Sequence, residues 1–523
     1  MVAWRFHSPP PRVTLVNMFT RPYDNAVATA RTCYSARGVI WPEDVARKPE
    51  VRDRIAARIY QAGHHTTLQH AHLQFAIENV SRHFIWSFLH SHPFYYSEQV
   101  SQRYVRVAPD QVAIPPLRGE ARALYEATVA RQIDAYNRLT ELLIPTVERL
   151  YYARFPARRP RAGIVSPLAR RWIPRKAQEV ARYVLPVATT AYLYHTVSLL
   201  TLLRYNRLCR QYDVPTETQA VVQRMVDAVL AHDPDIEKVL EDPLPLEETL
   251  EYRFWQEAQP TQRWSKAFRQ EFDASLEGHV SRLIAWKPNN EAILAQAVRE
   301  VLGLPRSALS DDEAIALVLD PARNTYLGEA LNLTTMSKLT RALHHPSYTF
   351  RKKLSHTADS QDQRHRMTPG SRPMLTAYLT EEPDYITPAL IRHSPEAQRL
   401  YDATMERVWE AINRLRQMGA ADEYASYLLP NAVAIRFTES ADLLALHHKL
   451  RLRLCYNAQE EIFNASRDEA LQIAAVNPRI GKYLAAPCTL RHMAGKRPIC
   501  PEGDRYCGVR VWELDIEAYE RIL

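Results

Sequence analysis

Apolar positions along the chain follow one order that occurs twice. A Val/Leu-rich segment at residues 13–16 precedes an Ala-rich stretch with helical spacing, and residues 280–284 precede a second such stretch. In both places the next apolar segment lies beside a His pair, and amphipathic stretches with helical periodicity follow it. The pattern therefore predicts two modules of one kind, each with a small sheet and a long helical part.

Matched residues support an internal duplication. Residues 124–128 (Leu-Tyr-Glu-Ala-Thr) correspond to residues 400–404 (Leu-Tyr-Asp-Ala-Thr), and residues 179–186 correspond to residues 423–430, which also end in Leu-Pro. Because insertions and deletions are tolerated in loops, a drifting offset between the copies is expected. Four matched segments in the same order make coincidence a poor explanation.

The predicted fold class is α+β (mixed α/β). With 13 glycines and no Gly-rich phosphate loop, a doubly wound dinucleotide fold is not indicated. The predicted organisation is a first module at 1–235, a linker with a helix at 236–274, a second module at 275–487 and a Cys/His-rich tail at 488–523.

Composition narrows the class of protein. Hydrophobic residues make up 46% of the chain and charged residues 24%, which is typical of a globular protein and argues against long disorder. No apolar run reaches the roughly 18 residues that span a bilayer, and the start lacks a secretory pattern, so we expect a cytoplasmic protein without a membrane partner. The net charge of +8 suits anionic ligands such as nucleotides and folates, and equally nucleic acid. Nucleic acid is the less favoured partner because no block of five or six basic residues occurs.

Three segments carry a resemblance to the flavin-dependent thymidylate synthase family. Residues 63–70 (Gly-His-His-Thr-Thr-Leu-Gln-His) resemble its Gly-His-x-Ser/Thr-x-x-Glu-His segment. Residues 101–104 (Ser-Gln-Arg-Tyr) resemble the end of its signature, Arg-His-Arg, seven residues, Ser-x-Arg-Tyr. Residues 450–462 are similar to its Leu-Arg-x4-Ala-Gln-x-Glu-Ile helix. Both modules are thus similar to the family's thymidylate-synthase-complementing fold.

The resemblance implies a reaction and a set of sites. The family methylates dUMP to dTMP with methylenetetrahydrofolate, using FAD that NADPH reduces, so no side-chain nucleophile is expected. Arg forks suit a nucleotide phosphate, and His and Gln can stack on a flavin or bond its polar edge. The resemblance places catalytic roles on Ser101 and Arg103. Substrate-binding roles fall on Arg103, Arg364, Arg453 and Gln459. Cofactor-binding roles fall on His65, Gln69, His70, His92, His448 and Glu461.

The chain also departs from the family. The Arg-His-Arg positions fall on residues 91–93 (Ser-His-Pro) and 352–354 (Lys-Lys-Leu), and Asp362 replaces the signature serine of the second module. Cys209 aligns with Arg453, so neither module holds a full set. Because family sites form between subunits of a tetramer, the resemblance implies a homodimer that forms a pseudo-tetramer. One class of site would combine Ser101 and Arg103 with residues of the second module, and a second class would be silent.

Alternatives remain open at this stage. The chain could be a diverged, non-catalytic paralogue that binds a nucleotide, a flavin or nucleic acid. His65 and His70 could be half-buried structural residues, Arg103 and Arg364 could form surface salt bridges, and Gln459 and Glu461 could brace a helix.

The tail places Cys488, His492, Cys500 and Cys507 within a short segment. Three thiolates and one imidazole suit tetrahedral zinc, which often stabilises segments without a core. The sequence therefore predicts a zinc site, with reduced cysteines clustered by chance as the alternative.

Overall fold

The computed structural model describes residues 4–90, 94–160, 165–210, 214–258, 262–521 and 523. The chain combines many helices with two four-stranded antiparallel sheets, which confirms the predicted α+β class. The strands are β1 (Arg12–Met18), β2 (His72–Ser81), β3 (Tyr95–Gln99), β4 (Thr190–Ser198), β5 (Ser281–Trp286), β6 (Ser347–Ser355), β7 (Gly370–Ser371) and β8 (Ala434–Asp442). The α-helices are α1 (Pro22–Thr32), α2 (Pro42–Ala46), α3 (Pro49–Gln61), α4 (Arg82–His90), α5 (Gly119–Arg154), α6 (Pro167–Ala181), α7 (Leu199–Leu208), α8 (Pro215–Leu230), α9 (Leu250–Ala258), α10 (Gln262–Ser275), α11 (Asn290–Leu302), α12 (Asp311–Leu319), α13 (His356–Asp362), α14 (Ala389–Arg392), α15 (Pro395–Gln417), α16 (Asp422–Ser426), α17 (Leu443–Arg453), α18 (Glu460–Val476), α19 (Pro478–Gly481) and α20 (Pro487–Met493).

The two sheets share one topology. Their strand orders are β1-β2-β4-β3 and β5-β6-β8-β7, so the second strand of each sheet lies between the first and the fourth. Along β4 and β6, buried residues alternate with more exposed ones, as expected for sheets that cover a core with one face. The first strand of each sheet also carries a register shift where it pairs with the second. This correspondence supports the duplication, while the four domain boundaries stay a prediction.

An extended segment of each module joins the two halves of the chain. Backbone hydrogen bonds of 2.8 to 3.0 Å link Val187 N to Leu429 O, Asn431 N to Leu185 O, Ala188 N to Tyr427 O and Ala432 N to Tyr183 O. These bonds occur in matched pairs, because the residues at 183–188 occupy the places of those at 427–432 in the repeat. The junction therefore has a pseudo-two-fold axis between Pro186 and Pro430, which form a β-bridge.

A matched pair of carboxylates braces this junction. Glu217 accepts hydrogen bonds from the Ser81 hydroxyl at 2.6 Å and from the Tyr427 hydroxyl of the other module at 2.6 Å. Glu461 accepts from the hydroxyls of Ser355 and Tyr183, each at 2.6 Å. Each carboxylate thus ties the end of a central strand in its own module to a tyrosine of the other module.

The hydrophobic core crosses from one module to the other. One large cluster joins side chains of α5 and α15, such as Tyr136 and Val408, to the second sheet. A second cluster lies under the first sheet and includes Phe75, Phe88 and Met225. The helical part of the first module is therefore packed into one core with the second module, which fixes the residues at the junction relative to one another.

The tail packs onto this shared core, and the zinc prediction is wrong for the described residues. Among them, no group of three or more His, Cys, Asp or Glu side chains is arranged to hold a metal ion. Cys488 is buried in the core, whereas His492 is exposed, and the Cys507 thiol contacts the Val509 carbonyl oxygen at 3.7 Å. Together with Cys500, these cysteines are free thiols of a segment that apolar packing holds in place.

Helices α9 and α10 lie between the last strand of the first sheet and the first strand of the second sheet. None of the helices in the described ranges has the length and apolar composition that a bilayer-spanning segment requires.

Candidate functional site

The Ser-x-Arg-Tyr segment of the first module lies directly against the second module. Gln102 is buried and donates to the Thr189 hydroxyl at 2.9 Å, while its amide oxygen accepts from Asn431 at 3.0 Å. Because Gln102 is held by both modules, the side chain of Arg103 is directed into the junction, where it donates to the Asn457 carbonyl oxygen at 2.9 Å.

Two residues of α6 organise the charge around Arg103. The Glu179 carboxylate accepts a hydrogen bond from Arg103 Nε and pairs with Lys176 at 2.9 Å. Burial alone would raise the pKa of Glu179, but the two adjacent cations, Arg103 foremost, hold it well below its usual range. Glu179 is therefore a carboxylate whose charge is already balanced.

A chain of polar contacts continues from Arg182 into the second module. Arg182 donates to the Gln459 amide oxygen at 2.7 Å, and Gln361 also donates to that oxygen. The Gln361 carbonyl oxygen then accepts from Arg453 at 2.7 Å, and Arg453 Nε donates to His365 Nε2 at 2.8 Å. Residues of both modules thus form one continuous network.

Arg453 is a largely buried cation whose hydrogen-bonding partners are neutral. Burial lowers the pKa of its guanidinium to about 10, and of the nearby charges only Asp362 opposes this, whereas Arg364 and Arg103 add to it. Burial and the Arg453 charge in turn hold the pKa of His365 well below its usual range, so His365 accepts as a neutral imidazole. A cluster of arginines with this excess of positive charge is suited to an anion.

Unsatisfied polar atoms occur at the same place. Arg182 Nε and Gln361 Oε1 are buried and have no hydrogen-bonding partner among the described residues. An unpaired buried polar group costs about 1 to 3 kcal/mol, so such atoms commonly mark the position of a polar ligand.

Most of the predicted site residues meet at this junction. Ser101 Oγ accepts from the Arg103 N–H at 3.3 Å, Arg364 pairs with Glu98 at 2.6 Å, and the His448 ring lies 6.2 Å from that of His365. The residues brought together are Ser101, Arg103, Arg364, Arg453, Gln459, His448 and Glu461.

Glu461 has a structural role at the junction. Its carboxylate oxygens are engaged by Ser355 and Tyr183, and Glu217 makes the same contacts across the pseudo-two-fold axis. Both modules have a glutamate with these contacts at the matched position. Glu461 therefore fits the role of a structural brace better than that of a cofactor ligand.

The His-rich segment of the first module lies elsewhere. His65, Gln69 and the adjacent His70 belong to a short 3-10 helix, His65–Gln69, and its end, just before β2 begins. The junction lies beyond the far end of β2, and a strand of that length spans about 30 Å. His65 contacts the Tyr60 carbonyl oxygen at 2.9 Å, whereas Gln69 and His70 are exposed. His92 lies outside the described residues.

The opposite side of the pseudo-two-fold axis lacks the same chemistry. There the places of Arg453, Gln459 and Arg182 are taken by Cys209, Pro215 and Ser426. Ser101 follows β3, and the matched position after β7 is Met374 rather than Asp362. Burial raises the pKa of the Cys209 thiol to about 11, so this residue stays neutral. The network of cations therefore forms on one side of the axis.

Glu423 occupies the place of Glu179 on this second side and forms no ion pair with any residue that the structure describes. It accepts hydrogen bonds from Thr216 at 3.3 Å, and burial, with a contribution from Glu217, raises its pKa to about 7. The pKa values of these two carboxyl groups, at matched positions, are thus shifted in opposite directions.

Glu423→Gln is expected to flatten the pH dependence of stability. Between about pH 4.5 and 7 the folded chain keeps the proton of Glu423 that the unfolded chain has lost, so the free energy of unfolding falls as pH rises through this window. The substitution removes this contribution, and we expect the variant to gain about 1 to 2 kcal/mol relative to wild type between pH 5 and pH 8. Urea denaturation at both pH values measures the difference.

Asp422→Asn is the matched control, because Asp422 is an exposed neighbour that pairs with Arg416 at 2.7 Å. An equal change in both variants would show that Glu423 is not the titrating group.

Sequence reasoning missed Glu179, Arg182, Gln361 and His365. The first two lie in the segment 179–186, which matches the segment 423–430. A residue-by-residue comparison of these segments shows that Arg182 differs from its counterpart Ser426. Gln361 carries no such signal, because only the packing of the second module brings it to Arg453. His365 does carry a signal: it is the middle residue of Arg364-His365-Arg366, an Arg-His-Arg sequence like that of the family signature.

A cavity of about 330 Å³ opens beside the junction and shares Arg103 and Glu179 with it. Its remaining wall comes mainly from α5, α6 and residues 502–507 of the tail, together with Tyr104, Arg158, Tyr456, Asn457 and Arg521.

Comparison with known proteins gives one consistent result. A family model described as thymidylate synthase complementing protein matches residues 14–235 and 282–479. The chain is 27% identical over 201 residues to a flavin-dependent thymidylate synthase of Clostridium tetani, covering 38% of this chain and 73% of that protein. It is 26% identical over 230 residues to one of Geobacter sulfurreducens, covering 43% and 92%, and 31% identical over 160 residues to one of a Mycobacterium species, covering 30% and 56%.

Proposed function

Because the chain belongs to the thymidylate synthase complementing protein family, we propose that it is a flavin-dependent thymidylate synthase with its working site at the junction of the two modules. In this proposal the substrate is dUMP, the carbon donor is methylenetetrahydrofolate, and NADPH reduces the flavin.

Arg453 is the observation that carries this proposal. Its guanidinium is largely buried, its hydrogen-bonding partners are a carbonyl oxygen and a neutral imidazole, and two further arginines lower its pKa. A nucleotide phosphate or an ionised pyrimidine supplies the negative charge that the protein does not place there. Bidentate contacts from Arg would fix the orientation of such a group as well as its charge.

The other residues have distinct assignments. Ser101 and Arg103 contact the nucleotide from the first module, and Gln459 contacts it from the second. Arg364, which forms an ion pair with Glu98, adds positive charge near the nucleotide. A bound flavin supplies the hydride transfer, so the protein binds and orients the reactants and needs no nucleophilic side chain.

The residues assigned to FAD favour an assembly of two chains. Neutral imidazoles and amides suit the polar edge and the ring face of a flavin, and His448 lies beside Arg453 with the neutral His365. Gln69 and His70 are exposed just before the start of β2, at the end away from the junction, and are too distant to share that flavin within one chain. We therefore propose a homodimer, a pseudo-tetramer of modules, in which one chain completes the flavin site of the other.

Purified protein is expected to bind FAD and to release tritium from C5-labelled dUMP when methylenetetrahydrofolate and NADPH are present. Absorbance gives the flavin content, and light scattering should give twice the chain mass of 60.3 kDa. A non-catalytic paralogue would bind dUMP without releasing tritium. A protein that takes up no FAD and does not bind dUMP would contradict the proposal.

A further inference from the structure

The cavity beside the junction carries a marked excess of positive charge. Its wall includes the cationic residues Arg158, Arg171, Arg175, Lys176, Arg505 and Arg521, in addition to Arg103. The acidic residues of the wall are Glu179, Glu502 and Asp504, and Glu179 is already paired with Arg103 and Lys176. The charges of the wall therefore do not balance without an anion.

Several of these cations have no anionic partner among the described residues. The guanidinium groups of Arg171, Arg175 and Arg505 form no ion pair or hydrogen bond with the described residues, although Arg175 lies 6.0 Å from the centre of the Tyr104 ring and Asn457 donates to the Arg505 carbonyl oxygen at 2.8 Å. Arg521 donates to the main-chain oxygen of Leu523 at 2.6 Å, but its Nη1 is buried without a partner there. Burial lowers the pKa of Arg521; the nearby Glu179 and Glu460 oppose this shift, and Arg103 adds to it. These groups would gain charge-assisted hydrogen bonds from a polyanion.

The second half of the site is more apolar than the first. An adjoining cavity of about 430 Å³ shares Trp172, Tyr456, Asn457, Cys507 and Arg521 with the first. Apart from these shared residues and the charged Arg154 and Glu520, its wall is aliphatic and aromatic, with Phe155, Leu514 and Leu523 among its members. The combined space has a cationic end for phosphates and an aromatic end on which a planar ring can stack.

We propose that this composite cavity binds a nucleoside polyphosphate, with its phosphates among Arg171, Arg175 and Arg521 and its base against Trp172. Both volumes fall within the roughly 300 to 1,000 Å³ that small-molecule sites occupy. Tail residues beyond the family-matched range, which ends at residue 479, form part of the wall. The site therefore borders the proposed dUMP site and shares Arg103 with it, but its ligand would lie on α6 and the tail.

Isothermal titration calorimetry with the full-length chain tests this proposal. The probes are dTTP, ATP and inorganic tripolyphosphate. We expect dTTP or ATP to bind the wild type with a dissociation constant of about 100 µM or lower at low salt. Arg171→Ser/Arg175→Ser should weaken binding by about tenfold or more, because two charge-assisted contacts are lost. Both side chains are exposed, so folding should be unaffected.

Arg131→Ser/Arg138→Ser is the matched control, since it removes the same charge from exposed positions of α5 outside the cavity. Trp172→Leu should weaken the nucleotide more than tripolyphosphate. No binding of either nucleotide at about 1 mM, or equal losses in both double variants, would overturn the site. Tripolyphosphate that binds as tightly as both nucleotides would overturn the placement of a base.

The dUMP site gives a separate readout. Arg453→Gln should lose dUMP binding and keep dTTP or ATP binding. Arg171→Ser/Arg175→Ser should keep dUMP binding and lose dTTP or ATP binding. Wild type that binds dTTP but not dUMP would contradict the proposed function and leave this inference standing.

Discussion

Arg453→Gln is expected to lower the rate of dUMP-dependent tritium release about 100-fold while the fold stays intact. A loss of that size corresponds to about 2.7 kcal/mol, which is in the range of a charge-assisted, bidentate contact in a partly buried site. Glutamine can still bond the Gln361 carbonyl oxygen and His365, so the local network keeps its shape. Glutamine carries no positive charge, however, so the variant lacks the unbalanced cation that would bind an anionic nucleotide.

Arg451→Gln is the control for this variant. Arg451 lies on the same helix, α17, but its guanidinium turns away from the junction and donates to the Leu327 carbonyl oxygen at 3.2 Å. The two variants lose the same charge, so only a site at Arg453 makes them differ in dUMP affinity and rate. Equal activity in the two variants would show that the junction is not the working site.

Much of this arrangement could be predicted from the sequence. The matched segments 179–186 and 423–430 indicated the duplication, and they form the pseudo-two-fold junction. The motif residues Arg103 and Arg453 were expected to share one site because neither module holds a full set. Local motifs predicted these contacts because the spacing within each motif fixes which side chains project from the same turn or helix.

The rest depended on how the modules pack. Glu461 carries the same motif signal as Gln459, yet its partners Ser355 and Tyr183 are adjacent to it only once the two modules meet. The zinc site failed for a similar reason. Cysteine spacing did not reveal that apolar side chains such as Val511 and Tyr519 already hold the tail on the core.

A buried ion network joins β6 and β8 to helices α13, α17 and α18 of the second module. Lys352 Nζ contacts Asp362 at 2.8 Å, Glu469 at 2.7 Å and Glu439 at 3.2 Å, and Lys449 contacts Asp362 at 2.9 Å. Lys352 lies in the middle of β6, and Asp362 is the last residue of α13. Their side chains are fully buried; burial lowers the pKa of Lys352, but the surrounding carboxylates hold it well above its usual range. These charges are thus neutralised inside the protein.

Lys352→Met is therefore expected to lower the free energy of unfolding by about 3 to 5 kcal/mol, because it leaves buried carboxylates without their central cation. Lys353→Met is a close control: the adjacent Lys353 forms a partly exposed pair with Asp273 at 2.7 Å, and such pairs contribute at most about 1 kcal/mol. Urea denaturation of both variants at pH 7 gives the comparison. Adding Glu469→Gln to Lys352→Met should recover part of the loss, since one uncompensated carboxylate is removed. Similar stabilities for the two single variants would show that the buried network does not hold the second module together.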